Sequence, residues 1–439
     1  MLTPAAEKKS ADAEAPALAE RLNHGCFCVT LDRAALSRHL DAEVGIAGFA
    51  AALASSHPSL FSNVPVFVAP DTMLAMEHDV AAVEAAAQLS DFQAAAMAWA
   101  PAIALADFGP MGALMGYDFH ITADGPRLIE VNTNAGGAFL NHALAVAQRG
   151  CCLEMQRLAQ NILPGRNFDE QISAMFIAEW QLQRGAEQLS TIAIVDDDPE
   201  AQFLLPEFQL ACSILNASGI QTVIADPAAL KFDGVALWFN DLRIDLVYNR
   251  LVDFALTGDR HTALRSAYES GRAVVTPNPH NHALLADKRN LALLSDATAL
   301  ERWGLAAQHR NALQSAVPAT VVVGAANADN LWADRRNQFF KPSGGHGSKA
   351  AYRGEKLTRK VWAEILCGSY VAQAFAPPSN RMVVRDGAPS AFKVDVRLYT
   401  YAGTRLLTAA RLYQGQTTNM RTPGGGFAPV LDIAGGANL

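Results

Sequence analysis

The sequence has few cysteines, no long apolar run and no excess of positive charge, and each shortage narrows what the chain can be. Six cysteines in 439 residues are too few for a disulfide framework. Cys151 and Cys152 are adjacent, and Cys26 and Cys28 are once removed, spacings poorly suited to ordinary disulfides. Reduced thiols and a cytoplasmic location are therefore expected. Cys26-Phe27-Cys28 could hold a soft metal, but no second pair or histidine set completes a four-ligand zinc site, so two small half-buried residues on a strand is the simpler reading. The most apolar window, AAAMAWAPAIALA from Ala94 to Ala106, is shorter than the roughly 20 residues of a membrane span and holds a proline. It reads as a buried helix. The opening stretch MLTPAAEKKSADAEAPALAE has no apolar core and reads as a frayed lead-in, neither signal peptide nor anchor. The formal charge of −8 gives no general attraction for nucleic acid or anionic lipid, so a polyanion must meet a local cationic site.

Half of the residues are apolar, enough for two or three subdomains sharing one cleft. From Pro16 to Asp107 the pattern is helical apart from VPVFVAP, which reads as a buried strand. YDFHITADGPRLIEVN then alternates on both sides of an Asp-Gly-Pro turn, the signature of a β-hairpin. Residues i and i+2 of a strand share a face, so Glu130 and Asn132 present two oxygen ligands side by side, with Asp118 on the partner arm. Residues 191 to 290 run strand, helix, strand within about thirty residues, which predicts a right-handed crossover and a parallel sheet. Ligands of such sheets sit at the carboxyl ends of strands, here Asp196 to Asp198 and Tyr248 to Arg250. Acidic strand ends are also ordinary solvated turns, and the Asp run fits that reading better. From about Asp287 to the end come strands ATVVVG, QFFKPS, YVAQAF, FKVDVRLYTY and RLLTAARLYQ, with helices near 289 to 302 and 356 to 367.

FFKPSGGHGSKAAYRG is the second strong feature. A strand delivers Lys341, and Gly344, Gly345 and Gly347 follow in a loop where backbone N–H groups can approach phosphate oxygens closely. There is no G-x-x-x-x-G-K-[ST], which excludes the P-loop, and the partial dinucleotide fingerprint lacks its strand-to-helix context. Lys288 follows a turn at a helix start; taken alone, it is a surface lysine. YVAQAFAPP reads as an apolar strand shaped to offer backbone groups to a flat ring such as adenine, or simply as core. FKVDVRLYTY places Lys393, Asp395 and Arg397 on one face, where they must pair or bind a ligand. TTNMRTPGGGFAP reads as a mobile loop with an anion-binding arginine, Arg421. His120, His280, His282 and His346 match no metal helix, and no serine or cysteine has triad context.

Taken in order, these motifs resemble the ATP-grasp ligases of the circularly permuted branch, such as eukaryotic glutathione synthetase and glutathionylspermidine synthase. The likeness runs from about residue 115 to 435. It implies an α/β (α+β) ATP-grasp fold in circularly permuted order with an additional parallel-sheet α/β substrate domain. The expected units are residues 1–165 (helical region plus metal hairpin), 190–287 (substrate domain) and 288–439 (nucleotide-binding region with the glycine lid). The resemblance further implies ATP with two magnesium ions. Asp118, Glu130 and Asn132 match the metal ligands, and Lys288 and Lys341 the phosphate lysines. Gly344, Gly345 and Gly347 match the lid, Tyr352 a nucleotide contact, Gln373, Ala374 and Phe375 the adenine hinge, and Asp395 an acidic nucleotide contact. Arg421 matches a substrate-binding arginine, making Lys341 and Arg421 the catalytic candidates, while Gly425 and Gly426 fall in a loop closing over substrate. One departure is Gly116, where those relatives carry an arginine that helps hold substrate.

The activity so implied is ATP-dependent carboxylate-amine ligation through an acyl phosphate. The expected partners are small acids and amines (amino acid, short peptide or polyamine), with no nucleic acid, no membrane and a homodimer as a candidate assembly. The alternatives are a phosphotransferase on the same fold, for which no swivelling phosphohistidine domain is evident, and a nucleotide-binding module without catalysis.

Overall fold

The computed structural model describes residues 4–149, 167–344 and 350–433. The chain opens with helices Pro4–Gly25, Arg33–Val44 and Phe49–Ser56, so the lead-in expected to fray is helical from residue 4. Strand β1 (Val66–Val68) is buried along its length, as VPVFVAP implies. Helices Pro70–Ala87 and Ser90–Met97 follow. The apolar window after them is not one helix: the α-helix stops at Met97 and a short 3-10 turn occupies Ala102–Leu105. Pro101 stands between them, and a proline lacks the helical N–H donor and disfavours helical geometry in the residue before it.

Strands β2 (Met115–Thr122) and β3 (Gly125–Asn132) form the expected hairpin. The α/β segment supplies β4 (Thr191–Val195), β5 (Gln221–Ala225), a small meander of β6 (Leu230–Phe232), β7 (Leu237–Phe239) and β8 (Leu242–Ile244), then β9 (Leu246–Asn249) and β10 (Val274–Thr276). The last third carries β11 (Thr320–Val322), β12 (Gln338–Pro342), β13 (Tyr352–Arg353), β14 (Tyr370–Ala374), β15 (Ser379–Arg385), β16 (Ala388–Tyr401), β17 (Thr404–Tyr413) and β18 (Gly426–Asp432).

These strands make a mixed seven-stranded sheet in the order β1-β18-β17-β16-β2-β3, with β15 also on β16. Its β1–β18 pair is parallel and its other pairs are antiparallel. The two ends of the chain therefore build one sheet, and Met76, Val80 and Val83 of the Pro70–Ala87 helix share a core with Tyr117, Phe119, Val396 and Leu398. A second sheet, β10-β9-β4-β5, is parallel throughout, as the strand–helix–strand spacing predicts. A third, β11-β14-β12-β13, is antiparallel and packs on Trp362 and Ile365 of helix Arg359–Cys367. Among the described residues no helix is long and apolar enough to cross a membrane.

Candidate active site

The β2–β3 register shifts between Asp118 and Phe119, leaving Ile129 as an extra residue: Asp118 pairs with Glu130, and Phe119 with Leu128. This bulge sets two carboxylates directly opposite each other, an arrangement that destabilises a hairpin unless cations offset it. The neighbouring strands provide them. Arg397 on β16 lies opposite Asp118 and grips it with both arms, Nε to Oδ1 at 2.5 Å and Nη2 to Oδ2 at 2.7 Å. Arg411 on β17 places Nη2 2.8 Å from the same Oδ2 and Nε 2.5 Å from Asp395 Oδ1. Burial pushes the Asp118 carboxyl up, but the two guanidinium groups outweigh it and hold the carboxyl well below the usual range. Glu130 is likewise raised by burial and brought below its ordinary value chiefly by Lys288, whose Nζ is 3.8 Å from Glu130 Oε2. Asn132 Nδ2 donates to Asp118 Oδ2 at 3.1 Å and to Glu130 Oε1 at 3.3 Å.

Lys341 enters from β12 and is 5% exposed. Its Nζ donates to the Ile129 carbonyl and to Gln373 Oε1, both at 2.8 Å. Burial lowers its pKa to about 8, partly offset by Glu130. Gln373 and Ala374 end β14, with Phe375 next; the Ala374 and Phe375 N–H groups donate to Ala319 and Asn337 carbonyls, both at 2.8 Å. Gln373 Nε2 is buried without a partner, a donor lacking an acceptor in a cleft wall. The Arg353 guanidinium lies 4.4 Å over the Phe375 ring.

Asp118, Glu130, Asn132, Lys288, Lys341, Gln373, Ala374, Phe375 and Asp395 all line one cleft of about 1130 Å³, its open mouth included. The wall holds six basic residues (Lys288, Lys341, Arg353, Lys356, Lys393 and Arg411) against three acidic ones (Asp118, Glu130 and Asp395). In a chain of net charge −8, this local excess of cations is what an anionic ligand requires. His120 also lines the cleft, its Nδ1 2.7 Å from the Ala376 carbonyl oxygen.

Several expected residues lie elsewhere. Tyr352 packs against the cluster of Phe340, Trp362 and Leu331, while its neighbours Ala351 and Arg353 face the cleft; strand alternation sends them to opposite sides. Arg421 is exposed and outside the cleft wall. Gly425 and Gly426 are buried at the start of β18 instead of forming a mobile loop: a Cβ at 425 would lie 2.3 Å from the Leu412 oxygen, and one at 426 would lie 2.2 Å from the Ser59 oxygen. Gly344 sits in open space. Gly345, His346 and Gly347 lie outside the described residues. Asp395 is at the cleft, but Arg411 and the Thr418 hydroxyl take its two oxygens. Position 116 has no room for a side chain, since a Cβ there would meet Ala135 Cβ at 2.5 Å and Arg397 Nε at 3.3 Å. Arg411 was hidden to sequence reading inside the apolar run RLLTAARLYQ. Its signal was a cation two residues from the strand end, whereas Arg397 stood out by sharing a face with Lys393 and Asp395.

Glu130 and Asn132 fit a magnesium ion, which takes one or two carboxylates and completes its shell with phosphate oxygens and water. Asp118 gives Oδ2 to three donors and Oδ1 to Arg397 Nε. Among the described residues no group of three or more His, Cys, Asp or Glu side chains converges on a metal position.

The carboxyl edge of the parallel sheet abuts the loop after Asn132. Asn134 Nδ2 donates to the carbonyls of Arg250 and Leu251 at 2.7 and 3.0 Å. Arg250 is 5% exposed, and its Nε is buried without a partner. Of the Asp run, Asp197 bonds His261 Nε2 at 2.9 Å and Asp198 takes Arg260, so both tie loops together. Asp196 is buried, which raises its pKa to about 6 against the pull of Arg250.

The fold is mixed α/β: a seven-stranded sheet built from both ends of the chain, with a parallel-sheet unit added. Among solved structures, the chain shares its fold with a glutathione synthetase-like effector of Globodera pallida in its apoform, at TM-score 0.54 and 13% identity over 92% of this chain and 98% of that one. Looser likenesses are to a protein provisionally named a gamma-glutamylcysteine synthetase from Methylobacillus flagellatus (TM-score 0.48, 11% identity, 84% and 89% of the two chains) and to the ATP-grasp ligase PsnB complexed with a minimal precursor (TM-score 0.29, 15% identity, 56% and 91%). No protein-family profile matches the sequence, and no curated protein does.

Proposed function

We propose that this chain is an ATP-dependent carboxylate-amine ligase that works through an acyl phosphate and releases ADP and phosphate. The observation that carries the reading is the convergence of Glu130, Asn132, Lys288, Lys341 and Arg411 on one cleft that is cationic in an acidic protein. The fold shared with a glutathione synthetase-like effector supports it.

Phosphoryl transfer asks for positioning and charge neutralisation more than for a protein nucleophile. Lys288, Lys341 and Arg411 supply fixed cations for the phosphate chain, and Gln373 Nε2 offers a donor at the hinge. Glu130 and Asn132 would hold magnesium, which when bound draws charge from the phosphate oxygens. A substrate carboxylate oxygen attacks the γ-phosphorus and ADP leaves. The amine nitrogen then attacks the acyl carbon, phosphate departs, and the nitrogen loses its proton. Arg250 would hold a carboxylate of one substrate at the edge of the parallel sheet, which makes residues 190–287 the substrate unit, with residues 288–439 and the hairpin of 1–165 forming the nucleotide unit. Amino acids, short peptides and polyamines are the substrate pools to try.

The test is incubation of the purified chain with ATP, magnesium and pooled acids and amines, following ADP and phosphate together. Release that depends on both an acid and an amine supports the ligase. ADP formed with a stable phosphorylated acid and no amide would favour a phosphotransferase, and no stimulation by any pool would remove the main support.

A further inference from the structure

Asp118 carries four donors. Oδ1 accepts from Arg397 Nε; Oδ2 accepts from Arg397 Nη2, faces Arg411 Nη2 at 2.8 Å and accepts from Asn132 Nδ2. A carboxylate has about four lone-pair sites, two on each oxygen, so Oδ2 is fully used while Oδ1 holds one donor, and the residue is only 2% exposed. A magnesium ion about 2.1 Å from Oδ2 would have to displace one of its three donors, and one on Oδ1 would set two more positive charges beside the Arg397 guanidinium. Arg411 is in the opposite condition. It has five N–H groups, of which Nε serves Asp395 and one on Nη2 serves Asp118. None of its nitrogens is both buried and without a partner, and the residue lines the cleft, so its remaining N–H groups open onto the cleft.

We propose that Asp118 is not a metal ligand: with Asp395 it positions Arg411, whose free N–H groups bind the oxygens of the phosphoryl group in transfer, and the metal is left to Glu130 and Asn132. The inference rests on the nucleotide reading of this cleft. Asp118 and Asp395 are positioning residues; Arg411 is the residue that touches the substrate. Two neighbouring strands fix the guanidinium plane from both sides, so the cation needs no reorganisation when charge develops in front of it.

Two probes separate the roles. Manganese affinity, followed by electron paramagnetic resonance with a non-hydrolysable ATP analogue, should fall further in Glu130→Gln, which loses a ligand, than in Asp118→Asn, which loses only the carboxylate that accepts from Asn132 Nδ2. Tripolyphosphate binding in EDTA should show the reverse, falling about tenfold in Asp118→Asn and in Arg411→Gln and holding or tightening in Glu130→Gln. A manganese loss in Asp118→Asn equal to that in Glu130→Gln overturns the proposal, as does unchanged tripolyphosphate binding in Arg411→Gln. Should Asp118→Asn fail to fold, wild-type crystals soaked with manganese and the analogue decide. An anomalous peak bonded to Glu130 and Asn132 but not to Asp118 supports the proposal, and one bonded to Asp118 ends it. Tripolyphosphate bound through Arg411 in a protein that ligates no acid to any amine would count against the ligase and leave this inference standing.

Discussion

The Gly137 N–H donates to Glu207 Oε1 at 2.9 Å, and through that contact the α/β unit caps the helix that follows the metal hairpin. The same carboxylate accepts from Phe139 and Leu140 at 3.3 and 3.1 Å, so three of the unpaired N–H groups at the start of helix Ala138–Val146 end on one buried side chain. Glu207→Ala should cost about 2 kcal/mol by chemical denaturation, the size expected when buried donors lose their acceptor. Glu207→Gln, which keeps one oxygen, should cost less. Because the capped helix begins six residues beyond Asn132, the Ala variant should also weaken magnesium–ATP binding in calorimetry.

Lys341 gives the cleft a pH limit. Its pKa is lowered to about 8 in the folded chain, below the unfolded lysine value of about 10.4. Between these values the unfolded state binds more protons, so this lysine makes stability rise with pH through that window. Anion binding moves the other way, because the neutral amine no longer attracts phosphate. ATP affinity should therefore fall as pH passes about 8, and Lys341→Met should bind weakly with a flatter profile. A wild-type affinity that holds steady up to pH 10 would contradict this.

Asp196 carries a raised pKa of about 6, so its contribution to stability is present below the unfolded value and lost as pH rises through 6. Asp196→Asn should raise the melting temperature at pH 8 and leave it little changed at pH 4. The gain is on the order of 3 kcal/mol at most. Should the same variant also lose turnover, the buried acid serves the reaction at the expense of stability.

Two glycines should respond oppositely to alanine. Gly426 has φ +96, and a Cβ there would lie 2.2 Å from the Ser59 oxygen and 2.4 Å from the Leu60 oxygen, so Gly426→Ala should cost about 3 kcal/mol or more. Gly344 faces open space, and Gly344→Ala should change stability by no more than about 0.5 kcal/mol. Thermal melts of both variants check the contrast. A larger effect of Gly344→Ala on ATP affinity than on melting would fit a role in the phosphate lid.

Much of the fold was readable where a periodic pattern is local. The hairpin of 115–132 and the parallel strands of 191–276 show alternation or strand–helix–strand spacing within thirty residues, and the structure has them. The edge strand β1 was readable as a strand, but its partner β18 lies some 360 residues away, and no local pattern encodes that pairing. Tyr352 and Arg353 show the same limit at the scale of one residue. Either could face the cleft, and the register with β12 decides for Arg353.

The amino-acid sequence by itself determined which chemical groups are available and in what order: an acidic hairpin ending in Glu-x-Asn, a lysine before a glycine loop and a cation-rich strand. Those follow from residue type and from the two-residue period of a strand, both of which act over a few positions. Only the tertiary structure decided which group serves which partner. The bulge at Ile129 turned Asp118 towards Glu130, strands from the far end of the chain brought Arg397 and Arg411 against them, and the Asp118 carboxylate is paired with two arginines. Ion pairing acts through space and takes no account of sequence distance, so a charge is assigned its partner only when the strands have been laid side by side.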